Sequence, residues 1–403
     1  MDDVGRRLED LRAAGLYRRL RAVESPQGPR VTLDGSEVLL LCSNNYLGLA
    51  DHPRVRQAAA DAAERFGAGA GASRLISGNM SLHARLEELL AAFTGTEAAL
   101  LFGSGYLANL GTISCLAGRG QVVFSDELNH ASIIDGCRLC GAERFIYRHG
   151  DLEHLSWGLD RAGERSALIV TDAVFSMDGD VAPIAGLLGL ARRHRCRLAV
   201  DEAHATGVLG PGGRGAVAEA GLSGEVDVVV GTLGKSLGSY GAYVTASADI
   251  VELLLNAART FIFSTAPPPP AVGAAIAALT LLDGQPGLVE QLRRNGDVLR
   301  SALAEEGLGV RSSRTQIVPV RVGAPGLAVE LCERVLAGRV FAQAIRPPTV
   351  PEGTSRLRLS VMANHRAGEL VAAAHVIGHA ARELGICSAP SGIRGISGLP
   401  RAA

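Results

Sequence analysis

Apolar positions change period along the chain. Residues 3–23 space them three and four apart, which predicts an amphipathic helix. "VTLDGSEVLLL" (31–41) alternates instead and predicts a hairpin turning at Asp34-Gly35. "HPRVRQAAADAAERF" and "SLHARLEELLAAF" read as helices, separated by the glycine-rich loop 67–79. From residue 97, seven short apolar runs ("EAALLF", "QVVFS", "RFIYR", "ALIVTD", "RLAVD", "VDVVV", "GAYVTA") alternate with helical stretches such as "LANLGTISCLA" and "IAGLLGLARRH". That pattern predicts an α/β fold with a mainly parallel seven-stranded sheet covered by helices.

After "STAPPPPAV" the texture shifts. Residues 271–307 read as long helices. "QIVPVRV", "RVFAQAI" and "RLRLSVM" follow as strands, with helices at 327–337 and 366–384: a smaller α+β C-terminal domain. The expected organisation is an N-terminal segment 1–44, a large domain 45–280, a small domain 281–385 and a tail 386–403. The tail is rich in Gly, Pro and Ser and is expected to be disordered.

Composition narrows the function classes. The chain has 403 residues, a net charge of −1 and 20% charged residues, so no basic surplus recommends a nucleic-acid partner. The N-terminus is charged, unlike a secretory signal. "AVGAAIAALTLL" (271–282) is too short to span a membrane and reads as a buried helix. Seven cysteines in so long a chain fit a reducing cytoplasm. Cys137 and Cys140 form a lone CxxC without the second pair that zinc requires, so no metal site is expected.

Lysine and arginine together number 40, and Lys235 is the single lysine. Arginine replaces lysine where only charge matters; it fails where an amine must lose a proton or form a covalent bond. Lys235 follows the strand "VDVVV" in "GTLGKSLGSYG". Its Gly-Lys-Ser resembles a P-loop, and "DEAH" (201–204) resembles a helicase box. The P-loop's first glycine would have to be residue 229, which is Val229, and the two elements stand in the wrong order.

A lysine that binds pyridoxal phosphate (PLP) needs a carboxylate facing the pyridine nitrogen, a donor to the ring oxygen, a flat group on the ring and an anion site at a helix start. Asp201, His204, His130 and "GSGYLANLG" (103–111) supply these at successive strand ends, with Thr232 and Ser176 adding hydroxyls. Ligands of open α/β sheets bind at that edge.

Together "CSNNYLGLADHP", "GAGAGASRLISGN", "LLFGSGYLANLG", "DELNHASIIDG", "VFSMDGDVAP", "DEAHATGVLGPGGRG", "GTLGKSLGSYGAY", "FIFSTAPPPP" and "IRPPTVPEGTSRLRLS" resemble the α-oxoamine synthases over about residues 10–385. The resemblance implies a fold-type-I PLP-dependent transferase that condenses an amino acid with an acyl thioester and releases carbon dioxide. It implies that Lys235 carries the cofactor covalently. Asp201 would face the pyridinium, His204 the ring oxygen and His130 the ring face. Gly105, Tyr106, Ser176 and Thr232 would hold phosphate and ring.

Ser264 and Thr265 would reach the partner's phosphate in a cytoplasmic homodimer with shared active sites. Arg346 would clamp the amino acid carboxylate, with Thr349, Asn44 and Arg18 also on the substrate side. "SRLISGN" and "IRPPTVPEGTSRLRLS" are most similar to the branch using L-alanine and a pimeloyl thioester on coenzyme A or acyl carrier protein. Other branches take a different amino acid or acyl donor, and an aminotransferase of the same fold is the more distant alternative.

Overall fold

The computed structural model describes residues 3–310 and 313–387; the expected disordered tail lies outside them from residue 388 on. A hairpin comes first: β1 (Arg30–Leu33) and β2 (Ser36–Leu40). Asp34 and Gly35 both take positive φ, as a tight two-residue turn requires. The N-terminal helix is shorter than its pattern suggests. It spans Asp3–Ala13 and stops before Gly15, which is at φ 67°.

The central sheet holds β3 (Ala98–Phe102), β4 (Val122–Asp126), β5 (Glu143–Tyr147), β6 (Ser166–Asp172), β7 (Arg197–Asp201), β8 (Val228–Thr232) and β9 (Ala242–Ala246). Their order is β3-β9-β8-β7-β6-β4-β5, with β9 antiparallel to both its neighbours. The strands alternate between two cores. Val123, Ala199, Val228 and Val230 pack with Ile113, Ile133 and Leu254 on one face. Phe124, Leu198, Val200 and Val229 pack with Leu155, Leu159 and Leu187 on the other. Burial on both faces is why the inner strands read as continuous apolar runs; the edge strand β5 is mostly exposed.

Two smaller sheets complete the fold. β10 (Ile317–Gly323), β12 (Gln343–Ile345) and β13 (Ser355–Ser360) pair antiparallel in the order β10-β13-β12. β11 (Val340–Phe341) instead runs parallel to β2. "RVFAQAI" is therefore two strands serving two sheets, one of which extends the N-terminal hairpin. The helix Pro269–Gly284 covers the span "AVGAAIAALTLL"; it is largely buried and packs against helix Pro53–Phe66. Among the described residues no single helix is long and apolar enough to cross a membrane.

Candidate active site

The carboxyl ends of β4, β6, β7 and β8 meet at one edge of the sheet, because these strands are parallel. β7 ends in Asp201, aligned with Asp172 of β6. β8 ends in Thr232, and the loop after it carries Lys235. Its hydroxyl accepts from Gly234 N–H and donates to Gly241 C=O, both at 3.2 Å, which shapes that loop. Gly238, at φ 58°, lets the loop lie against Ala50: a Cβ there would come 2.4 Å from Ala50 N.

Lys235 Nζ turns inward to 2.9 Å from His204 Nε2. Burial lowers its pKa to about 8, Asp201 and Asp172 act against that, and Arg358 reinforces it. His204 is buried and held well below the usual histidine range, by burial first and then by Lys235. Its Nδ1 lies 2.7 Å from the Tyr46 hydroxyl, which also donates to Asn44 Oδ1 at 2.9 Å.

His130 caps the helix Ala131–Leu139 after β4, and its N–H donates to Asp172 Oδ2 at 2.7 Å. Burial lowers its pKa. Asp201 Oδ2 accepts from Asn109 Nδ2 at 2.7 Å, and Oδ1 from Ala203 N–H at 2.8 Å. Asp172 is pushed well above the usual carboxylate range, by burial and by the neighbouring Asp201. The remaining acid of "DEAH", Glu202, faces elsewhere: it accepts from Ala216 N–H and Val217 N–H.

Gly105 and Tyr106 open the helix Gly105–Leu116, capped by Ser104. Its first turn offers backbone donors of the kind that bind phosphate. The Tyr106 hydroxyl donates outward to Asp135 at 2.6 Å. Ser264 is half-buried and Thr265 exposed, and Thr265 bridges to Ser73. Ser176 and Thr349 line one cavity of about 580 Å³. Arg346 donates to Gly15 C=O and stands near Arg18.

Sequence reading missed Arg358. This buried side chain reaches Ser176 C=O, Asn44 Oδ1 at 3.2 Å and the Tyr46 hydroxyl at 3.2 Å, and its charge is felt at Lys235 and His204. Asn109, Ser132, Asp172 and Tyr46 were missed too; the first three are polar residues inside apolar elements, easily taken for packing, and Tyr46 lies in a turn.

The residues present fit PLP. An inward amine of lowered pKa, an aligned carboxylate, an imidazole beside the amine and an N-terminal helix turn are the groups this cofactor needs. The Ser236 hydroxyl, buried beside the lysine, has no partner among the described residues.

Comparison with known proteins agrees. The family model described as aminotransferase class I and II matches residues 36–377. The 8-amino-7-oxononanoate synthase of Geobacter sulfurreducens is 53% identical over 94% of this chain and 98% of its own length. That of Geotalea daltonii is 51% identical over 96% and 99%. A solved serine palmitoyltransferase from S. paucimobilis with bound PLP superposes with TM-score 0.90 at 33% identity, covering 96% of this chain and 98% of that one. The matched span, the identity across nearly the whole length and the shared fold place this chain in the aminotransferase class I and II family and, within it, among the α-oxoamine synthases, PLP-dependent acyltransferases of fold type I.

Proposed function

We propose that the chain condenses L-alanine with a pimeloyl thioester, on coenzyme A or acyl carrier protein, to give 8-amino-7-oxononanoate, carbon dioxide and free thiol, the step that serves biotin synthesis. The observation that carries the reading is the chain's only lysine, amine inward and pKa near 8, beside Asp201, Asp172 and His204. The relatives of about 50% identity favour the alanine branch.

PLP, when bound, supplies an electron sink for the amino acid's α-carbon. Lys235 would hold the cofactor, and its neutral Nζ, once free, would take the substrate's α-proton and later return one. Asp201 would face the pyridine nitrogen, oriented by the Asn109 and Ala203 N–H groups. His204 would face the ring oxygen through Nε2, which stands 2.9 Å from Lys235 Nζ. Tyr46, whose single hydrogen goes to Asn44, holds Nδ1 from the other side.

Arg358 is the guanidinium whose charge reaches Lys235, and it suits the alanine carboxylate. Arg346, expected to clamp the amino acid carboxylate, meets the like charge of Arg18, and the two cations together suit the free carboxylate of a pimeloyl chain. The cavity between the β6 end and the stiff Pro347–Pro351 loop gives an apolar chain room against Phe175, Met177, Leu128 and Ile134.

A homodimer completes the site. Leu75, Ile76 and Phe263, all exposed, surround the bridged Ser73 and Thr265, an apolar surface that a second copy would cover while Ser264 and Thr265 reach its phosphate.

The test is to mix purified holoenzyme with L-alanine and pimeloyl thioester. Thiol release and formation of the aminoketone are expected. Pyruvate from alanine without thioester would point to an aminotransferase; turnover only with glycine or serine would reassign the substrate.

A further inference from the structure

Around His130 the buried polar groups leave one consistent set of proton positions. Asp201 Oδ2 accepts from Asn109 Nδ2 at 2.7 Å. Turning that amide round would set its oxygen against the Asp201 oxygen, so Asp201, whose Oδ1 also accepts, decides which end of Asn109 is nitrogen. The amide's second hydrogen goes to Ser132 Oγ at 2.9 Å. The Ser132 hydroxyl, now an acceptor on that side, has its single hydrogen left for His130 Nδ1, 2.8 Å away. Ser132 N–H also points at Nδ1, at 3.3 Å. Two donors aimed at Nδ1 leave it no proton of its own. Asn109 is 3% exposed, Ser132 1% and Asp201 5%, so solvent competes little for these bonds.

We infer that Asn109 and Ser132 are positioning residues that carry the orientation set by Asp201 to His130, locking its ring as the Nε2–H tautomer. His130 then meets the reactants as a neutral hydrogen-bond donor, suited to a carboxylate or a thioester carbonyl oxygen, and leaves proton abstraction to Lys235. Burial and the nearby Lys235 keep the ring neutral, with Asp201 opposing. The inference rests on the proposed function for the identity of the reactants; the placement of the proton does not.

The experiment uses holoenzyme with ¹⁵N-labelled histidine rings. The chain has ten histidines, so the His130 signals are identified by their loss in His130→Asn. The expected spectrum shows a pyridine-like Nδ1 and a pyrrole-like Nε2 across neutral and mildly alkaline pH. Ser132→Ala should lower the tautomer ratio about fivefold, the loss of one neutral hydrogen bond. Ser132→Thr, which keeps the hydroxyl, should hold the wild-type ratio.

An Nδ1–H tautomer or an imidazolium in the wild type at neutral pH overturns the inference, as does an unchanged ratio in Ser132→Ala. If that variant does not fold, the wild-type and Ser132→Thr spectra decide on the same criteria. Holoenzyme with the cofactor's visible absorbance but the wrong tautomer sinks this inference alone. A protein that binds no PLP sinks the functional reading instead.

Discussion

Asp172 and Asp201 stand opposite one another on adjacent parallel strands, both buried at the edge that faces Lys235. Two carboxylates so close do not share the work equally. Asp172 is driven toward its protonated form, while Asp201 keeps two N–H donors. Asp201→Asn should therefore lower turnover on the order of 100-fold or more. Asp172→Asn, which mimics the neutral acid and can still accept from His130 N–H, should stay within about tenfold of wild type. Steady-state kinetics of both variants check this; equal losses would contradict the division of roles.

Lys235 sets a pH dependence. An amine captures an aldehyde only when unprotonated, and its pKa is lowered to about 8. Below pH 8 the rate of PLP capture by cofactor-free protein should climb about tenfold per pH unit, then level off above it. Stopped-flow absorbance measures it. A flat profile from pH 6 to 9, or a rise continuing to pH 10, would contradict the lowered value.

Tyr46→Phe removes the partner of His204 Nδ1 deep in the structure. The variant should lose about 1–3 kcal/mol of stability and bind PLP more weakly, because a buried polar atom is left unpaired. Denaturant unfolding and cofactor titration read the two effects.

Arg358→Lys keeps the charge but loses the fork that reaches Ser176, Asn44 and Tyr46. KM for the amino acid should rise about 10- to 100-fold. Arg346→Lys should act mainly on KM for the acyl thioester. The opposite pattern would return the amino acid carboxylate to Arg346.

The central sheet was legible because strands buried on both faces have no polar face to confuse the period. Asp201 stood out because it ends a strand, and Lys235, His204 and His130 because they lie just beyond strand ends. Arg358 did not. In "SRLRLS" the leucines face the core, and the alternate positions look solvent-facing. All six residues are buried, because Arg356 and Arg358 point at the large domain, toward Asp178 and Ser176. Asn109 was hidden for a related reason: its partner Asp201 lies 92 residues away, joined only by the fold. The pairing of β2 with β11 likewise links segments some 300 residues apart that no local pattern connects.

The single lysine makes the central claim directly measurable. Holoenzyme is reduced with borohydride, digested and mapped by mass spectrometry, with Lys235→Arg as the companion sample. The expected result is the cofactor's mass on the peptide containing Lys235, together with loss of visible absorbance in a folded Lys235→Arg protein. Cofactor released unattached after reduction, or a Lys235→Arg protein that keeps its absorbance and turnover, would contradict it.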